Sequence, residues 1–218
     1  MIRILLVDDQ SLLRVGFKLV LETQPDFAVI GEAGDGEAAV KLTAELNPDV
    51  VLMDVRMPLL NGIEATRRIA DEGLPAKVLV LTTFHVDRYV YDALRAGASG
   101  FLLKDVPPAG LIDAIRAVAA GDSVLSPSVT RDLIAAFTAQ GPPPTVDDPW
   151  PPDVTERERE VIARLAAGRS NVEIAADLHI TETTVKSHLR RVLAKLGLRD
   201  RVQVVVWAFE NGVARPGR

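Results

Sequence analysis

The chain has 218 residues, and it contains no cysteine and no long uninterrupted apolar run. The absence of cysteine excludes a disulfide framework and a zinc site built from thiolates. No window approaches the roughly 20 apolar residues that a membrane span requires. The N-terminal apolar run is too short, and too soon acidic, for a signal peptide. We therefore expect a soluble, cytoplasmic protein without a membrane partner.

Charge is divided unequally along the chain, although its total is only −5. Residues 1–121 carry 12 Lys and Arg against 17 Asp and Glu, whereas residues 153–218 carry 12 against 9. An acidic front part and a basic tail suggest two domains, with the tail facing a polyanion. We predict a linker at 122–152, with a helix at about 126–140 followed by a Pro-rich segment. Trp150 within this segment is expected to pack on a neighbouring domain.

The first 121 residues alternate short apolar runs with segments of helical spacing. Such alternation predicts a doubly wound α/β fold, in which five parallel strands carry helices on both faces. The tail shows helical spacing throughout, with a capping-box pattern at Thr155 and Glu158. It predicts four helices, two of them joined by a tight turn at His179. The predicted strands are 2–7, 28–33, 50–53, 77–81 and 101–103.

Polar side chains stand where four of the predicted strands end. Asp8 and Asp9 follow the first strand, Asp54 the third, Thr82 the fourth and Lys104 the fifth. Because parallel strands place their carboxyl ends at one edge of a sheet, we expect these side chains to meet there. Three adjacent carboxylates repel one another, and a divalent cation removes that penalty. Mg²⁺ prefers such hard oxygen ligands.

The same set of residues suits phosphoryl transfer. A carboxylate such as Asp54 can act as a nucleophile and form an acyl phosphate. Mg²⁺ and the Lys104 ammonium would neutralise the phosphoryl oxygens, and the Thr82 hydroxyl could bond one of them. Each residue has a simpler explanation when taken alone, such as a helix cap, a turn or a solvated ion pair. Their joint placement favours the functional interpretation.

The second helix of the predicted helix-turn-helix has an outward-facing basic side. Arg and Lys can reach guanine edges in a major groove, and Ser and Thr can reach phosphates. Hydroxyls at the helix N terminus also favour phosphate oxygens. The alternative is a basic face that is merely solvated. The candidate DNA contacts are Thr181, Thr183, Thr184, Lys186, Ser187, Arg190 and Arg191.

Five segments of the first part resemble a response-regulator receiver domain: LLVDD (5–9), LMDVRMP (52–58), NGIEA (61–65), LVLTT (79–83) and AGASGFLLKD (96–105). The resemblance implies a flavodoxin-like sheet of strand order 2-1-3-4-5. It implies that Asp54 accepts a phosphoryl group from a histidine kinase, and that Thr82 and Phe101 form a switch. It also implies a magnesium ion held by Asp9, Asp54 and the backbone carbonyl of Arg56, with Asp8 assisting.

The tail resembles a LuxR-type helix-turn-helix domain through VTEREREVIARLAAGRSNVEIAADLHITETTVKSHLRRVLAKLGL (154–198) and RVQVVVWAF (201–209). Together the two resemblances indicate the NarL/FixJ subfamily of response regulators. They imply a two-component transcription factor, not an enzyme, that binds double-stranded promoter DNA sequence-specifically as a homodimer when active. Val204, Val205 and Trp207 of the last helix would supply the dimer interface.

Three other functions are compatible with parts of the pattern. An aspartyl phosphatase usually carries a second Asp two residues after its nucleophile, where Arg56 stands here. A flavin-binding module shares the sheet order, but the loop at 9–11 is acidic and does not form a phosphate cradle. A regulator that ignores phosphorylation could carry a vestigial receiver, although the complete acidic set argues against one.

Overall fold

The computed structural model describes residues 1–82, 87–121, 124–125 and 150–214. The chain divides into two units, Met1–Leu133 and Ile134–Arg218. The predicted helix at 126–140 and most of the Pro-rich segment lie outside the described residues. Within the described ranges, no helix combines the length and the hydropathy that a membrane crossing demands.

The first unit contains a parallel sheet with helices between its strands. The strand order is β2-β1-β3-β4-β5-β6, so the predicted order 2-1-3-4-5 is confirmed. A sixth strand of two residues pairs with β5 at the sheet edge and was not predicted. Two residues are too few to show a periodic pattern. The strands are β1 (Ile2–Val7), β2 (Phe27–Ala33), β3 (Val50–Asp54), β4 (Lys77–Thr82), β5 (Gly100–Leu103) and β6 (Val124–Leu125).

The helices of this unit cover its central strands. Every residue of β3 is buried, as are five of the six in β4, because strands covered on both faces place successive side chains in apolar surroundings. One face packs against α1 and α5 through Leu21, Leu111 and Ile115. The helices are α1 (Ser11–Leu21), α2 (Gly36–Leu46), α3 (Gly62–Asp71), α4 (Asp87–Arg95) and α5 (Pro108–Ala120).

Side-chain caps define where two of these helices begin. The Asp35 carboxylate accepts a hydrogen bond of 2.8 Å from the backbone N–H of Ala38 at the start of α2. The Asn61 side chain accepts one of 2.9 Å from the backbone N–H of Glu64 at the start of α3. These bonds satisfy donors that a helix leaves unpaired at its N terminus. Helix α1 differs, because Gln10 before it makes no side-chain capping bond.

Leu59, in the loop after β3, adopts a left-handed backbone conformation with a φ of 62°. A Cβ atom makes that conformation unfavourable by about 1–2 kcal/mol, whereas glycine adopts it freely. The Leu59 residue is 83% exposed, so its side chain adds little packing. We expect Leu59→Gly to raise the free energy of unfolding by about 1 kcal/mol, measured by urea denaturation followed with far-UV circular dichroism.

Leu19 in α1 provides a matched control for that substitution. It is also exposed, at 64%, but it lies inside a helix. Leu19→Gly should therefore lower the free energy of unfolding by about 1 kcal/mol. The same sign of change in both variants would contradict the assignment of backbone strain to Leu59.

The second unit consists of four helices in its described part, as predicted. Capping boxes open the first helix at Thr155 and Glu158, and the second at Ser170 and Glu173. His179, with a φ of 53°, ends the second helix and forms the tight turn before the third. The helices are α6 (Glu156–Ala166), α7 (Asn171–Leu178), α8 (Glu182–Leu196) and α9 (Arg201–Glu210).

Trp150 belongs to the apolar core of the second unit. Its ring centroid lies 5.9 Å from that of Trp207 in α9. The guanidinium carbon of Arg159 lies 5.3 Å from the centroid of the Trp150 ring, at cation–π distance. The expectation that Trp150 packs on a neighbouring domain is therefore confirmed. The packed part of the second unit includes this residue, ahead of the predicted domain start at 153.

Candidate functional site

Three carboxylates meet at one edge of the parallel sheet. Asp8 and Asp9 follow β1, and Asp54 is the last residue of the neighbouring strand β3. One oxygen from each of the three lies within 4.8 Å of the others. Asp8 and Asp54 are only 3% and 5% exposed, whereas Asp9 is exposed. The structure thus brings together the three aspartates that the sequence singled out.

Lys104 joins two of these carboxylates from the end of β5. Its Nζ donates a hydrogen bond of 2.5 Å to Asp8 Oδ2 and lies 3.1 Å from Asp54 Oδ2. All three side chains are nearly inaccessible to solvent. A shared ammonium in this position reduces the repulsion between two buried anions. Among the described ion pairs, Lys104 alone contacts these carboxylates, and it contacts only two of the three.

Burial raises the pKa of the Asp54 carboxyl above its usual range. The nearby Lys104 ammonium opposes that rise in the pKa, and the Asp8 carboxylate adds to it. The ionised form of Asp54 is therefore held at an energetic cost. A cation bound beside it would lower that cost.

Asp8 and Asp9 differ in how many acceptor positions they have left. Asp8 Oδ2 accepts from Lys104, and Asp8 Oδ1 accepts a bond of 2.9 Å from the backbone N–H of Gln10. The Asp9 carboxylate makes no hydrogen bond to any residue that the structure describes. Asp9 therefore suits direct contact with Mg²⁺, and Asp8 suits an assisting role. Asp54, like Asp8, already contacts Lys104, so its predicted contact with the ion stays a prediction. The cluster offers only hard oxygen donors, as Mg²⁺ requires.

The other residues predicted for this site lie around the cluster. Thr82 ends β4 and is buried, and its backbone carbonyl accepts a bond of 2.8 Å from Lys104 N–H. Phe101 in β5 is fully buried opposite Val80. Arg56 is exposed in the loop after Asp54. These positions agree with the predicted roles in phosphoryl binding and switching, which stay predictions.

Gly62, which lies in the NGIEA segment, contacts the site directly. Its N–H donates a bond of 3.0 Å to the Val55 carbonyl. A Cβ at this position would lie 1.9 Å from the backbone oxygen of Asp54. Gly36, across the same loop, would place a Cβ 2.4 Å from the backbone oxygen of Leu60. Both glycines allow the loop that follows Asp54 to pack closely, which the Asn-Gly turn signal alone does not reveal.

Helix α8 presents the predicted basic face. Val185, Leu189 and Val192 are buried in the core of the second unit. The outward placement of the candidate DNA contacts agrees with this burial, and their role on DNA stays a prediction. The exposed residues are Thr181, Thr183, Lys186, Ser187, Arg190 and Arg191, and Thr184 is partly buried.

Several of these polar side chains already have partners within the helix. Thr181 caps α8, and its hydroxyl oxygen lies 2.8 Å from that of Thr184. The Ser187 hydroxyl donates a bond of 3.0 Å to the Thr183 carbonyl. Lys186 Nζ pairs with Glu182 at 3.0 Å. A contact with phosphate would have to replace some of these bonds.

The residues predicted for dimerisation do not share one surface. Val204 is 0% exposed and packs into the core of the second unit. It therefore cannot contact a partner in this conformation, because α9 uses that side for its own packing. Val205 and Trp207 are partly buried against the same core and keep some accessible surface.

Comparisons with known proteins match both parts of the chain. Residues 4–116 match the family described as response regulator receiver domain. Residues 153–208 match the family described as bacterial regulatory proteins, luxR family. The chain is 44% identical over 214 residues to the uncharacterized transcriptional regulatory protein YxjL of Bacillus subtilis (strain 168), covering 98% of each chain.

Two further similarities extend over nearly the whole chain. The nitrate/nitrite response regulator protein NarL of Escherichia coli (strain K12) is 37% identical over 210 residues, covering 96% of each chain. The crystal structure of the response regulator ChrA, from a heme-sensing two-component system, superimposes with a TM-score of 0.54 at 35% identity. That match covers 98% of both chains.

Proposed function

Since the chain belongs to the NarL/LuxR family of two-component response regulators, we propose that a phosphoryl group on Asp54 controls its binding to specific DNA sequences. The chain is a response-regulator transcription factor with a receiver domain and a LuxR-type DNA-binding domain, and not an enzyme. One observation carries the proposal: Lys104 bridges Asp54 and Asp8 within a cluster of three carboxylates.

The phosphoryl donor is a phosphohistidine of a sensor histidine kinase. An Asp54 oxygen attacks phosphorus, the P–N bond breaks, and the imidazole keeps the electron pair and takes up a proton. The Lys104 ammonium is placed to neutralise charge on the phosphoryl oxygens, and the Thr82 hydroxyl bonds one of them. Asp9, Asp54 and the Arg56 carbonyl would hold Mg²⁺, with Asp8 assisting. When bound, that ion stabilises the charge on the phosphoryl oxygens.

Phosphorylation then shifts the receiver between two populated states. Thr82 moves toward the phosphoryl group, and the Phe101 ring faces inward, as it already does in this structure. The favoured state forms a homodimer on promoter DNA, with Val205 and Trp207 as candidate interface residues. A cytoplasmic location is part of the same proposal, since the kinase and the DNA must both reach the protein. The domain limits 1–121 and 153–218 also remain a proposal, although β6 pairs with the first sheet and Trp150 packs on the second core.

Selection of bound sequences from random double-stranded DNA tests the proposal. The wild-type chain would be used with Mg²⁺ alone, and with Mg²⁺ and beryllofluoride as a phosphoryl mimic. We expect beryllofluoride to enrich one sequence motif and to increase the affinity for it. Equal enrichment and affinity in both conditions would favour a regulator whose receiver is not a switch. Absence of any enriched motif would contradict sequence-specific binding.

Substitutions on α8 test the DNA-binding face. We expect Lys186→Ala and Arg190→Ala each to weaken binding to the selected motif by about 1–3 kcal/mol, because each removes a contact to a base edge. Binding to unrelated DNA should change much less. Fluorescence anisotropy with both DNAs over a range of salt concentrations measures the difference.

Arg191→Ala is the matched comparison for those two substitutions. Arg191 flanks the face, so we expect it to contact phosphate. Its loss should weaken binding to both DNAs about equally. The slope of the logarithm of the binding constant against the logarithm of the salt concentration should fall by about one, because one fewer ion is released. Unchanged affinity in all three variants would remove α8 as the DNA-contacting helix.

A further inference from the structure

We propose that Arg14 is a positioning residue for the magnesium site, because it holds the backbone of the turn that carries Asp8 and Asp9. This inference rests on the proposed function, which includes a bound Mg²⁺ ion. The Arg14 guanidinium does not reach the carboxylates themselves through any contact that the structure describes. It acts through the main chain of Asp8 and through its anchor on strand β2.

Every polar group of Asp8 is hydrogen-bonded. Its N–H donates a bond of 3.1 Å to the Ala33 carbonyl of β2, and its two carboxylate oxygens accept from Gln10 N–H and Lys104 Nζ. The remaining group is the Asp8 carbonyl, which accepts a hydrogen bond from Arg14 Nη1. Arg14 therefore supplies the one bond to Asp8 that comes from a side chain of α1.

The guanidinium also forms an ion pair with β2, although its Nε makes no hydrogen bond to a described residue. Arg14 Nε lies 3.5 Å from Glu32 Oε2, and the Arg14 side chain is largely buried. Lys18, one helical turn further along α1, donates a bond of 3.0 Å to the other oxygen of Glu32. The Lys18 hydrogen bond, helped by Arg14, holds the pKa of the Glu32 carboxyl below its usual range. Glu32 is therefore an anion that anchors two cations of α1.

The turn needs this support because α1 begins without a side-chain cap. Gln10 makes no capping bond, so the path of residues 8–10 depends on the bonds to Asp8. Asp9 follows directly, and its carboxylate has no hydrogen bond of its own among the described residues. Replacing a residue that hydrogen-bonds and orients a metal ligand typically lowers the metal affinity by about 10–100-fold. We expect Arg14 to act in this way on Asp9.

A direct electrostatic effect of Arg14 would have the opposite sign. A positive charge near the site repels Mg²⁺, so removing it would strengthen binding of the ion. The Arg14 charge is paired with Glu32, which reduces its field at the cluster. The two mechanisms thus predict opposite changes in affinity, and this allows a clear test.

The experiment compares Arg14→Met with Lys18→Met in the full chain. Both changes remove a cation of α1 that pairs with Glu32, but only Arg14 bonds the Asp8 backbone. Isothermal titration calorimetry with magnesium chloride gives the affinity. We expect Arg14→Met to weaken Mg²⁺ binding about tenfold, and Lys18→Met to stay within about twofold of wild type. Arg14→Lys, which keeps one donor, should lie between them.

The rate of phosphorylation by acetyl phosphate gives a second measurement. In Arg14→Met the Mg²⁺ concentration for half-maximal rate should rise by the factor found by calorimetry, whereas the rate at saturating Mg²⁺ should stay within about twofold. Unchanged or stronger Mg²⁺ binding in Arg14→Met overturns the inference and leaves the proposed function standing. Wild-type protein that neither binds Mg²⁺ nor becomes labelled overturns both. If Arg14→Met does not fold, Arg14→Lys decides, and wild-type affinity there overturns the inference.

Discussion

Asp54→Asn should abolish the incorporation of phosphate from acetyl phosphate and from a phosphorylated histidine kinase. The amide cannot act as the nucleophile that a carboxylate provides, and it cannot form an acyl phosphate. Labelling with radioactive phosphate, followed by hydroxylamine treatment of the wild-type product, measures both the amount and the chemical nature of the bond. Labelling of Asp54→Asn at the wild-type level would place the acceptor elsewhere.

The same substitution should stabilise the protein at neutral pH when Mg²⁺ is absent. Burial raises the pKa of Asp54, so the folded state binds the proton more tightly than the unfolded state does. Ionisation of Asp54 therefore opposes folding, and this destabilisation grows as the pH rises through the carboxyl range. The advantage of Asp54→Asn should disappear below the ordinary carboxyl pKa and be complete above the raised one.

Urea denaturation at several pH values, with and without Mg²⁺, measures this difference in stability. Mg²⁺ should narrow it, because an ion that binds the folded wild-type protein stabilises that state by mass action. Asp71→Asn removes an exposed carboxylate at the end of α3 and is the control for Mg²⁺, which should not change its stability relative to the wild type. A wild-type protein more stable than Asp54→Asn at neutral pH without Mg²⁺ would contradict the cost assigned to the buried carboxylate.

Gly62→Ala should destabilise the first unit by about 3 kcal/mol, near the upper end for overpacking. The added Cβ would lie 1.9 Å from the backbone oxygen of Asp54 and 2.9 Å from its carbonyl carbon. A backbone carbonyl cannot rotate away as a flexible side chain can, so α3 or the end of β3 must move. Because Asp54 would move with it, the rate of phosphorylation should also fall.

Two internal controls accompany this measurement. Gly16 is an exposed residue inside α1, and a Cβ added there would meet no neighbouring group within 4 Å. Gly16→Ala should therefore raise the free energy of unfolding by about 0.5–1 kcal/mol. Both tryptophans, Trp150 and Trp207, lie in the second unit, so their fluorescence follows that unit while far-UV circular dichroism follows both. Gly62→Ala should shift only the circular dichroism transition. Equal stability of the two alanine variants would refute the close contact.

Much of the fold was predictable because apolar runs and helical spacing are local signals. The first strand was predicted at its observed limits, and each of the other four predicted strands differs by one residue at one end. Helix α5 begins at Pro108, three residues before Leu111, the first residue that it buries in the core. The first turn of a helix carries few core residues, so periodicity alone does not locate it. Strand β6 was missed for the related reason that it is too short.

The candidate site was partly predictable for a different reason. In a parallel sheet the carboxyl ends of strands share one edge, so the positions of Asp8, Asp54 and Lys104 along the chain implied that they meet. Their hydrogen-bond pattern was not implied. The difference between Asp8, which is fully bonded, and Asp9, which is exposed, depends on the turn before α1. The burial of Val204 depends on which side of α9 packs into the core. Apolar residues lie on several sides of this helix, so its sequence does not specify that side.

Local spacing and the rules of parallel sheets were enough to predict the two-part organisation, the order of strands and helices, and which residues end the strands. Contacts between residues far apart in the chain could not be predicted in this way. Lys104 and Asp8 are 96 positions apart, and their bond requires the observed strand register and side-chain direction. The approach of Gly62 to Asp54 and the packing of Trp150 on Trp207 likewise depend on how whole elements are placed. Local spacing does not specify that placement, because it is set by packing of the complete core.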